Sequence, residues 1–458
     1  MAYTLLSDFT GNTTLTAGTY WMPYDINGNG FTLTFNCASG PIIIKRAGDY
    51  SFAFTGVINT TNSTSTNKVY WTDKNDDTIG DAISGSTGSP VKSGLSLNSA
   101  YIGTCFTNIA ITLINHEIRY ASNKQFVYSI VNSNGLTTVR TFQYIIFKNC
   151  DYNNIRVFES DSRNSDSSYY QYIDFDNTNT LTGTSYLLYL ISSYWGFCRS
   201  YVDHITVANA NCSNVVIYLW GASVNITQTF SYIKIYNAGY FGLQLIDFRT
   251  NWVTLTNSVT TILISPSDTN KQKFINCLFD NVLTGYTSSV SCNSYITFDI
   301  TNCIFKSYTT IFILHVTRTT MTIKNCNFVS NTAFLSASTS NITASYCGYY
   351  NNGETYWARG TGDFTADPSF GNYSTSATID PTFSSYSFPN GYVASAAAYQ
   401  NTGSDSYGNL NIDTTLYSPD GTKQLVWSKV NPGIYYKFTT LAPGTLQPNE
   451  FQILGITF

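Results

Sequence analysis

The sequence predicts an all-β protein whose main body is a solenoid of stacked parallel strands. The first observation is a repeated phrase, in which an apolar residue stands three places before the cysteine of Asn-Cys-x-Phe. The phrase occurs at 274–279, 300–305 and 323–328, with an earlier copy at 147–152 and a looser one ending at 346–349. Its later cysteines, at 277, 303, 326 and 347, follow one another after 26, 23 and 21 residues. Repeats of this length in β-rich sequence are typical of solenoids, in which each unit stacks on the next.

The spacing inside the phrase predicts a strand, a one-residue bend and a second strand. Strand side chains alternate with period 2, so an apolar residue and a cysteine three places apart share a face only if the chain bends between them. Asn tolerates the left-handed conformation that such a bend needs. We therefore expect Asn276, Asn302 and Asn325 to stack at one bend, about 4.8 Å apart, where side-chain amides can form a ladder. Cys277, Cys303 and Cys326 are then expected to stack inside the solenoid.

These copies resemble the right-handed parallel β-helix of the pectin-lyase-like superfamily, of the kind used in phage tailspikes and other virion structural proteins. The opening stretches 14–20 and 31–35 are similar to the first coil of such helices, and 364–370 is similar to the stretch that often closes them. The resemblance covers residues 10 to 385. It implies a fold and says little about activity, because one such fold carries many functions.

The tail supplies the second observation on fold. Turn signals at 418–421 (Ser-Pro-Asp-Gly) and 431–433 (Asn-Pro-Gly) separate short β-type runs. This pattern predicts a small antiparallel β domain. The expected organisation is an N-terminal cap at 1–30, the parallel β-helix at 31–388 with an insertion at 58–98, and the C-terminal β domain at 389–458.

Composition supplies the third observation and limits the partners. Charged residues are 11% of the chain, against about 25% in ordinary soluble domains. The formal net charge is −4, and 36 tyrosines accompany abundant Asn, Thr and Ser. A protein without a basic face lacks the electrostatic footprint of nucleic-acid or anionic-membrane binding, so we expect neither partner. Polar neutral ligands, above all carbohydrate, suit this surface best.

The N-terminal residues have neither the basic region nor the apolar core of a signal peptide. No apolar run approaches the roughly 18–20 residues that span a bilayer. We therefore expect a protein of a virion surface or the extracellular space, with no signal peptide or transmembrane segment. The ten cysteines are expected to be free thiols, because stacked parallel side chains meet disulfide geometry poorly.

Two places carry residues suited to polysaccharide chemistry. Asp174 and Asp176 flank Phe175, which places both carboxylates on one outer face, and paired carboxylates are what glycoside hydrolysis uses. The phrase Tyr201-Val202-Asp203-His204 resembles Trp-Ile-Asp-His of the pectate lyases, with Tyr in place of Trp and Val in place of Ile. Neither place has the accompanying set of cations and carboxylates, so polar decoration of a β-helix face is the alternative in both.

Asp73, Asn75 and Asp77 begin the densest acidic stretch like a calcium loop. Glycine stands at its eighth position and not its sixth, and no glutamate follows at the twelfth. A solvated turn is the alternative. His315 is expected to be a partly buried strand residue and not a ligand, and His116 sits beside Glu117 in a polar strand without a nucleophile-like partner. No phosphate-binding loop, Ser-His-Asp set or metal-spaced His/Cys set is recognisable, so no cofactor is expected.

Aromatic residues cluster in the middle third of the chain. Tyr and Trp combine an apolar ring with a polar tip, which suits both glycan and protein interfaces. Packing between coils is the alternative for each of them. The candidate binding residues are Tyr169, Tyr170, Tyr172, Tyr194, Trp195, Tyr218 and Trp220.

Two classes of function are consistent with this sequence. The first is a non-enzymatic structural or adhesive virion protein, such as a phage spike, fibre or decoration subunit. It would form a homo-oligomer, most simply a trimer, contact other virion proteins and bind host surface glycan. The second is a polysaccharide lyase or glycoside hydrolase on the same scaffold, and a binding-only carbohydrate module lies between them. The missing catalytic phrases and the low charge favour the first.

Overall fold

The computed structural model describes residues 3–353 with gaps, and two strands beyond them. The gaps are 55, 100–109, 123, 131–138, 163–166, 176–177, 184, 193–198, 208–209, 213–214, 222–226, 236–240, 247–251, 257–261, 266–269, 276–277, 281–287, 293–295, 302–303, 307, 315–318, 325, 336–340 and 346. The strands beyond 353 are 423–427 and 435–439. For some strand residues, chiefly within 191–320, only the backbone is described.

Within the described residues every regular element is a β-strand. The strands are β1 (Tyr3–Leu5), β2 (Thr13–Leu15), β3 (Gly18–Met22), β4 (Ile26–Asn29), β5 (Leu33–Asn36), β6 (Ile42–Arg46), β7 (Tyr50–Phe54), β8 (Ile58–Thr61), β9 (Val69–Asp73), β10 (Leu95–Ser99), β11 (Ile111–Arg119), β12 (Val127–Ile130), β13 (Val139–Lys148), β14 (Asp151–Asn153), β15 (Arg156–Ser162), β16 (Ser167–Phe175), β17 (Thr180–Gly183), β18 (Tyr186–Ser192), β19 (Arg199–Val207), β20 (Ala210–Cys212), β21 (Val215–Gly221), β22 (Thr227–Ile235), β23 (Phe241–Ile246), β24 (Trp252–Thr256), β25 (Ile262–Ser265), β26 (Asn270–Ile275), β27 (Leu278–Asp280), β28 (Ser288–Cys292), β29 (Ile296–Thr301), β30 (Ile304–Lys306), β31 (Thr310–Leu314), β32 (Thr319–Lys324), β33 (Asn327–Val329), β34 (Ala333–Leu335), β35 (Asn341–Ser345), β36 (Gly348–Tyr350), β37 (Lys423–Trp427) and β38 (Tyr435–Thr439).

The chain divides into two compact units. The first contains residues 1–229 and 234–251, and the second contains 230–233 and 252–458. In the first unit, two stacks of short strands, β1-β3-β6-β9 and β2-β5-β8, pair with the two ends of β11. β13, β16 and β19 then continue this sheet as long strands. β11, β13, β16 and β19 are called the long strands below.

Two further sheets complete the coils of the first unit. One stacks β4, β7, β10, β12, β15, β18, β21 and β23. The other stacks β14, β17 and β20. All of these pairings are parallel, so the predicted all-β parallel solenoid is confirmed.

The long strands β11, β13 and β16 stay continuous through a bend because one residue in each adopts a left-handed backbone. Asn115, Tyr144 and Tyr172 have φ values of 58°, 55° and 54°, and they occupy matching register positions in β11, β13 and β16. This conformation is uncommon for any residue except glycine, and more so for a bulky side chain. The predicted bend within the phrase is also present, since Asn149 has φ 54°.

Inward columns of side chains fill the interior. Ile118, Phe147, Phe175 and Val207 form one such column, each in register with the next and fully buried. Phe147 also meets Phe158 edge to face at 5.9 Å. Burial of each of these side chains contributes about 1.5–3 kcal/mol.

The second unit repeats the pattern with shorter coils. β24, β26, β29, β32 and β35 pair in order, as do β27, β30, β33 and β36, and β28, β31 and β34 form the third sheet. Phe305, Phe328 and Tyr349, the aromatics of successive phrases, stack with centroid distances of 5.4 and 5.3 Å. The phrase therefore marks one coil, as predicted.

Each described cysteine of the phrase reaches the coil before its own. The Sγ atoms of Cys150, Cys326 and Cys347 lie 3.5, 3.7 and 3.9 Å from the carbonyl oxygens of Ile118, Ile300 and Ile323. Each acceptor precedes the bend of the neighbouring coil, so cysteine supplies a small apolar body and a weak donor together.

The described thiols, Cys37, Cys150, Cys326 and Cys347, are free and buried. The expected ladder of Asn276, Asn302 and Asn325, with Cys277 and Cys303, lies outside the described residues. A different pair of asparagines does connect coils: the Asn331 amide nitrogen donates to Asn352 Oδ1 at 2.9 Å.

The expected domain boundaries stay predictions, and the structure shows what lies within them. β1 and β3, inside the expected cap, pair with each other and with β6. β8 and β9, inside the expected insertion, belong to the solenoid sheet. In the tail, β37 and β38 form an antiparallel pair. In the part of the chain that is described, no helix has the length and apolar character needed to cross a membrane.

Candidate functional site

The outer face of the long strands carries a stacked pair of tyrosines at the bend. The rings of Tyr144 and Tyr172 lie 4.6 Å apart between centroids and 18° from parallel. Tyr144 is 42% exposed, and Tyr172 is half-buried. On the next strand, β19, Asp203 pairs with Gln171 and Ile205 pairs with Ile173. His204 therefore takes the position that matches Tyr172. Tyr144 and Tyr172 are called the tyrosine ladder below.

Polar residues run alongside the ladder in the same register. Gln143, Gln171 and Asp203 occupy the positions immediately before the bend on successive strands. Two positions further back, Tyr169 pairs with Thr141 and with Tyr201. Gln143 and Gln171 are half-buried, as are Thr141 and Tyr169. The arrangement offers amide, hydroxyl and aromatic groups on one regular surface, the combination that suits polar neutral ligands.

Asp174 lies in the outward column expected for it, with Glu117 and Ile146 in the same column. Its side chain is nevertheless fully buried, so it is not the solvent-facing carboxylate that the alternation predicts. Asp176 lies outside the described residues. Of the expected pair of outward carboxylates, the structure therefore describes only Asp174.

Asp203 and Asp174 do not occupy matching positions on their strands. Asp174 pairs with Thr206, three residues beyond Asp203, so the bend at Tyr172 lies between the two positions. They are about 10 Å apart when measured along the chain, with a further 4.8 Å between strands. An inverting glycosidase holds its carboxyl groups about 6.5–9.5 Å apart. Arg199 pairs with Ser167, four residues before Asp203 or about 13 Å. For Asp203 and His204 the structure describes the backbone only.

The structure separates the predicted aromatic set. Tyr170 is buried in the core, stacked on Phe142 at 5.1 Å and 21°, so it cannot belong to a surface band. Tyr218 and Trp220 lie on β21 of a different sheet, paired with Tyr189 and Ile191. Tyr194 and Trp195 lie outside the described residues.

Sequence reasoning missed Tyr144, although a signal for it is present. Tyr144-Ile-Ile-Phe147 and Tyr172-Ile-Asp-Phe175 are copies of one pattern, 28 residues apart. A second missed feature is on the sheet of β15 and β18, where the guanidinium carbon of Arg156 lies 3.7 Å from the ring centroid of Tyr189. Both features depend on the register between coils.

The acidic stretch after β9 is folded onto the outer face of the early strands. Asp73 Oδ1 accepts from the Asn75 N–H at 2.9 Å, and Asn75 Oδ1 accepts from the Thr87 N–H at 3.0 Å. Asp77 Oδ1 accepts from the Ser86 hydroxyl at 2.8 Å. These oxygens serve turns within the loop, and no group of three or more His, Cys, Asp or Glu suited to a metal ion occurs in the described part of the chain. We call residues 74–88 the outer loop.

A buried carboxylate in the same region is surrounded by cations. Glu117 meets Lys68 Nζ at 2.9 Å, Arg119 Nε at 2.7 Å and Lys148 Nζ at 3.4 Å. Burial alone would raise the pKa of Glu117. The Lys68 hydrogen bond and the three positive charges outweigh it, so this pKa is lowered.

Arg119 also connects this cluster to the outer loop. Its Nη1 lies 3.5 Å from Asp76 Oδ2, and Thr72 donates to the same oxygen at 2.6 Å. Lys45, fully buried, donates to the Asp76 carbonyl at 2.7 Å. For Asp76, burial acts to raise the pKa, but the Thr72, Thr78 and Arg119 interactions lower it overall. Both carboxylates are held ionised, which suits a structural clamp and not a general acid.

His116 lies inside the solenoid and not on its polar face. Its Nδ1 accepts from Trp71 Nε1 at 3.0 Å, and its Nε2 lies 2.8 Å from the Thr60 hydroxyl. Burial lowers the pKa of His116 to about 3. The polar-strand setting expected for His116 is therefore wrong, and His315 lies outside the described residues.

No family model matches the chain, and no curated protein matches it. Among solved structures, a similar one is the receptor-binding protein of bacteriophage Det7, described as a podoviral tailspike in a myovirus. The two share 12% sequence identity and a TM-score of 0.19, over 97% of this chain and 83% of that one. The parallel β-helix architecture of this chain rests on its own strand pairings.

Proposed function

We propose that this protein is a non-enzymatic adhesive or structural component of a virion-type particle, and that the outer face of its long strands binds surface glycan. The observation that carries the glycan proposal is the tyrosine ladder, with Gln143 and Gln171 beside it in register. Each phenol offers an apolar edge and a hydroxyl, and each glutamine offers both a donor and an acceptor. Such groups match the apolar and hydroxyl surfaces of a neutral sugar.

The spacing of the strands supports an extended ligand over a single sugar. Equivalent groups recur on adjacent strands about 4.8 Å apart, so a chain of sugars lying across the strands meets similar partners at each step. The low content of charged residues, 11%, favours neutral over acidic saccharides.

The positions of the carboxylates favour binding over cleavage. Asp174 is buried, and its register partner lies three residues from Asp203. The enzymatic alternative, a lyase or hydrolase, keeps one specific observation: Asp203 and His204 continue the columns of Gln171 and Tyr172 on the next strand. A homo-oligomer, most simply a trimer, and other virion proteins are the proposed partners.

Binding is tested with the double variant Tyr144→Ala, Tyr172→Ala on a panel of bacterial surface polysaccharides. We expect at least about tenfold weaker binding, equivalent to ~1.4 kcal/mol. Tyr24→Ala is the matched control, because Tyr24 is 43% exposed and Tyr144 is 42% exposed. Unchanged affinity of the double variant, or equal loss in the control, would contradict the assignment of the ladder.

Cleavage is tested separately by measuring reducing ends and unsaturated sugars released from the same panel. The proposal expects no turnover by the wild type. Turnover that falls by the roughly 10²–10⁴-fold typical of a lost acid–base group in Asp203→Ala would replace the adhesive assignment with the enzymatic one.

A further inference from the structure

Arg46 carries a positive charge into the interior of the first unit, where the carboxylates that act on it are those of Asp73, its register partner on β9, and Asp49. Arg46 is 1% exposed. Among the described residues no carboxylate lies within ion-pair distance of it. A buried charge of this kind costs several kcal/mol unless something compensates it.

The partners of Arg46 are neutral oxygens on one side of the guanidinium. Nε donates to the Ser93 hydroxyl at 3.1 Å, and Nη2 donates to the carbonyls of Ser93, Arg119 and Tyr120 at 3.1, 3.3 and 2.5 Å. Nη1 is buried, and no hydrogen-bond partner for it occurs in the described part of the chain. Nε and Nη2 of the guanidinium therefore bind protein oxygens, whereas Nη1 binds none among the described residues.

A second buried donor without a partner belongs to the same interior region. The hydroxyl of Tyr152 is fully buried and, within the described residues, meets no acceptor. Tyr152 follows Cys150 by two residues on the inward side, and the Cys150 Sγ lies 3.5 Å from the Lys148 carbonyl. That carbonyl also accepts from the N–H of Tyr120, whose own carbonyl binds Arg46.

Electrostatic coupling supports this proximity. Burial raises the pKa of Tyr152 well above its usual value, with Arg46 acting in the opposite direction. Burial likewise lowers the pKa of Arg46, and Cys150, Tyr152, Asp73 and Asp49 oppose this.

We propose that Arg46 Nη1 and the Tyr152 hydroxyl together bind one small monovalent anion of the halide class, such as chloride, inside the solenoid. Both groups are donors, and an anion accepts from both while adding to the negative charge that Asp73 and Asp49 bring near the guanidinium. A water molecule would accept from both donors but would bring two hydrogens that need acceptors of their own. The bound anion would join Arg46, at the end of β6, to Tyr152 on β14.

The site is tested on the full chain by thermal unfolding in sodium chloride and in sodium gluconate at equal ionic strength. We expect a saturating rise in Tm with chloride of about 2 °C or more. Tyr152→Phe keeps the ring that packs against Phe147 and Phe175 and should abolish this difference. Tyr349→Phe, which removes a buried hydroxyl in the second unit, should retain it.

Crystals soaked in bromide provide the direct observation. An anomalous peak within hydrogen-bond distance of Arg46 Nη1 and the Tyr152 hydroxyl would support the proposal. Ordered water at that position without an anomalous peak, or a chloride effect that persists unchanged in Tyr152→Phe, would overturn it. Because Tyr152→Phe retains the packing, the test does not depend on the stability of an Arg46 variant.

Discussion

At the scale of single residues, His116 shows how burial fixes a protonation state. Nδ1 accepts a hydrogen bond from Trp71, so the ring proton is on Nε2, which donates to Thr60. A second proton would have to displace the indole N–H inside an apolar interior. Burial, which disfavours the charged ring, lowers the pKa of His116 to about 3.

The consequence is a loss of stability at mildly acidic pH. The unfolded chain takes up a proton near pH 6.5, whereas folded His116 does so near pH 3. The contribution of this histidine is therefore complete above pH 6.5 and is lost as the pH falls towards 3. Between pH 7 and 5 we expect the free energy of unfolding to fall by about 2 kcal/mol because of His116, measured by urea unfolding.

His116→Gln is the comparison for this prediction, because a glutamine oxygen can still accept from Trp71. Its free energy of unfolding should change less between pH 7 and 5 than that of the wild type. Glu117 and Asp76, whose pKa values are lowered, affect stability only below about pH 4.5. Equal pH dependence of the two proteins in this range would show that His116 does not titrate as described.

At the scale of elements, the outer loop is the part that sequence reasoning described least well. Its acidic residues suggest a solvated turn, yet Asp76 and Ile83 are buried. The reason is that the cations which hold it, Lys45 and Arg119, come from β6 and β11. A window of local sequence does not contain them.

Removing the Arg119 guanidinium should release the outer loop. Arg119→Met leaves Glu117 and Asp76 without their shared partner. We expect a loss of about 2 kcal/mol, less than the 3–5 kcal/mol of a fully buried pair, because the Arg119 side chain is 21% exposed. Thermolysin, which cuts before apolar residues, should then cleave faster at Ile83.

Lys92→Met is the matched control for this prediction. Lys92 and Asp151 are 4.0 Å apart and 41% and 48% exposed, so the pair contributes at most about 1 kcal/mol. Its cleavage pattern should match that of the wild type. Equal rates at Ile83 in wild type and Arg119→Met would mean that Arg119 does not hold the loop.

At the scale of the whole molecule, the fold was more predictable than the site. The phrase identifies coils because each repeat contacts its neighbours, and Phe305, Phe328 and Tyr349 stack as that requires. The tyrosine ladder depends on the register between β13 and β16, whose tyrosines are 28 residues apart in sequence. The sequence of a single repeat does not contain this register. The burial of Asp174, which lies in an outward column, likewise follows from packing between coils and not from alternation along one strand.

The assembly state remains a prediction at this scale. Sheets with few surface charges lack a common device that keeps flat β surfaces apart. We therefore expect light scattering to give three times the mass of one chain. A monomer that persists at micromolar concentration would contradict this.

Each hydrogen bond from a cysteine thiol reaches only the preceding coil, so one whole coil can be removed without breaking the pattern. Cys326 reaches Ile300, and Cys347 reaches Ile323, so each bond joins immediate neighbours and none spans two coils. Deleting residues 302–324 would place Asn325 and Cys326 directly after Thr301, the register partner of Lys324. The thiol of Cys326 would then face the carbonyl of Phe274, which occupies the column of Ile300 and Ile323. Gain or loss of whole coils is thus a route by which such a chain can change length in evolution while preserving its interior.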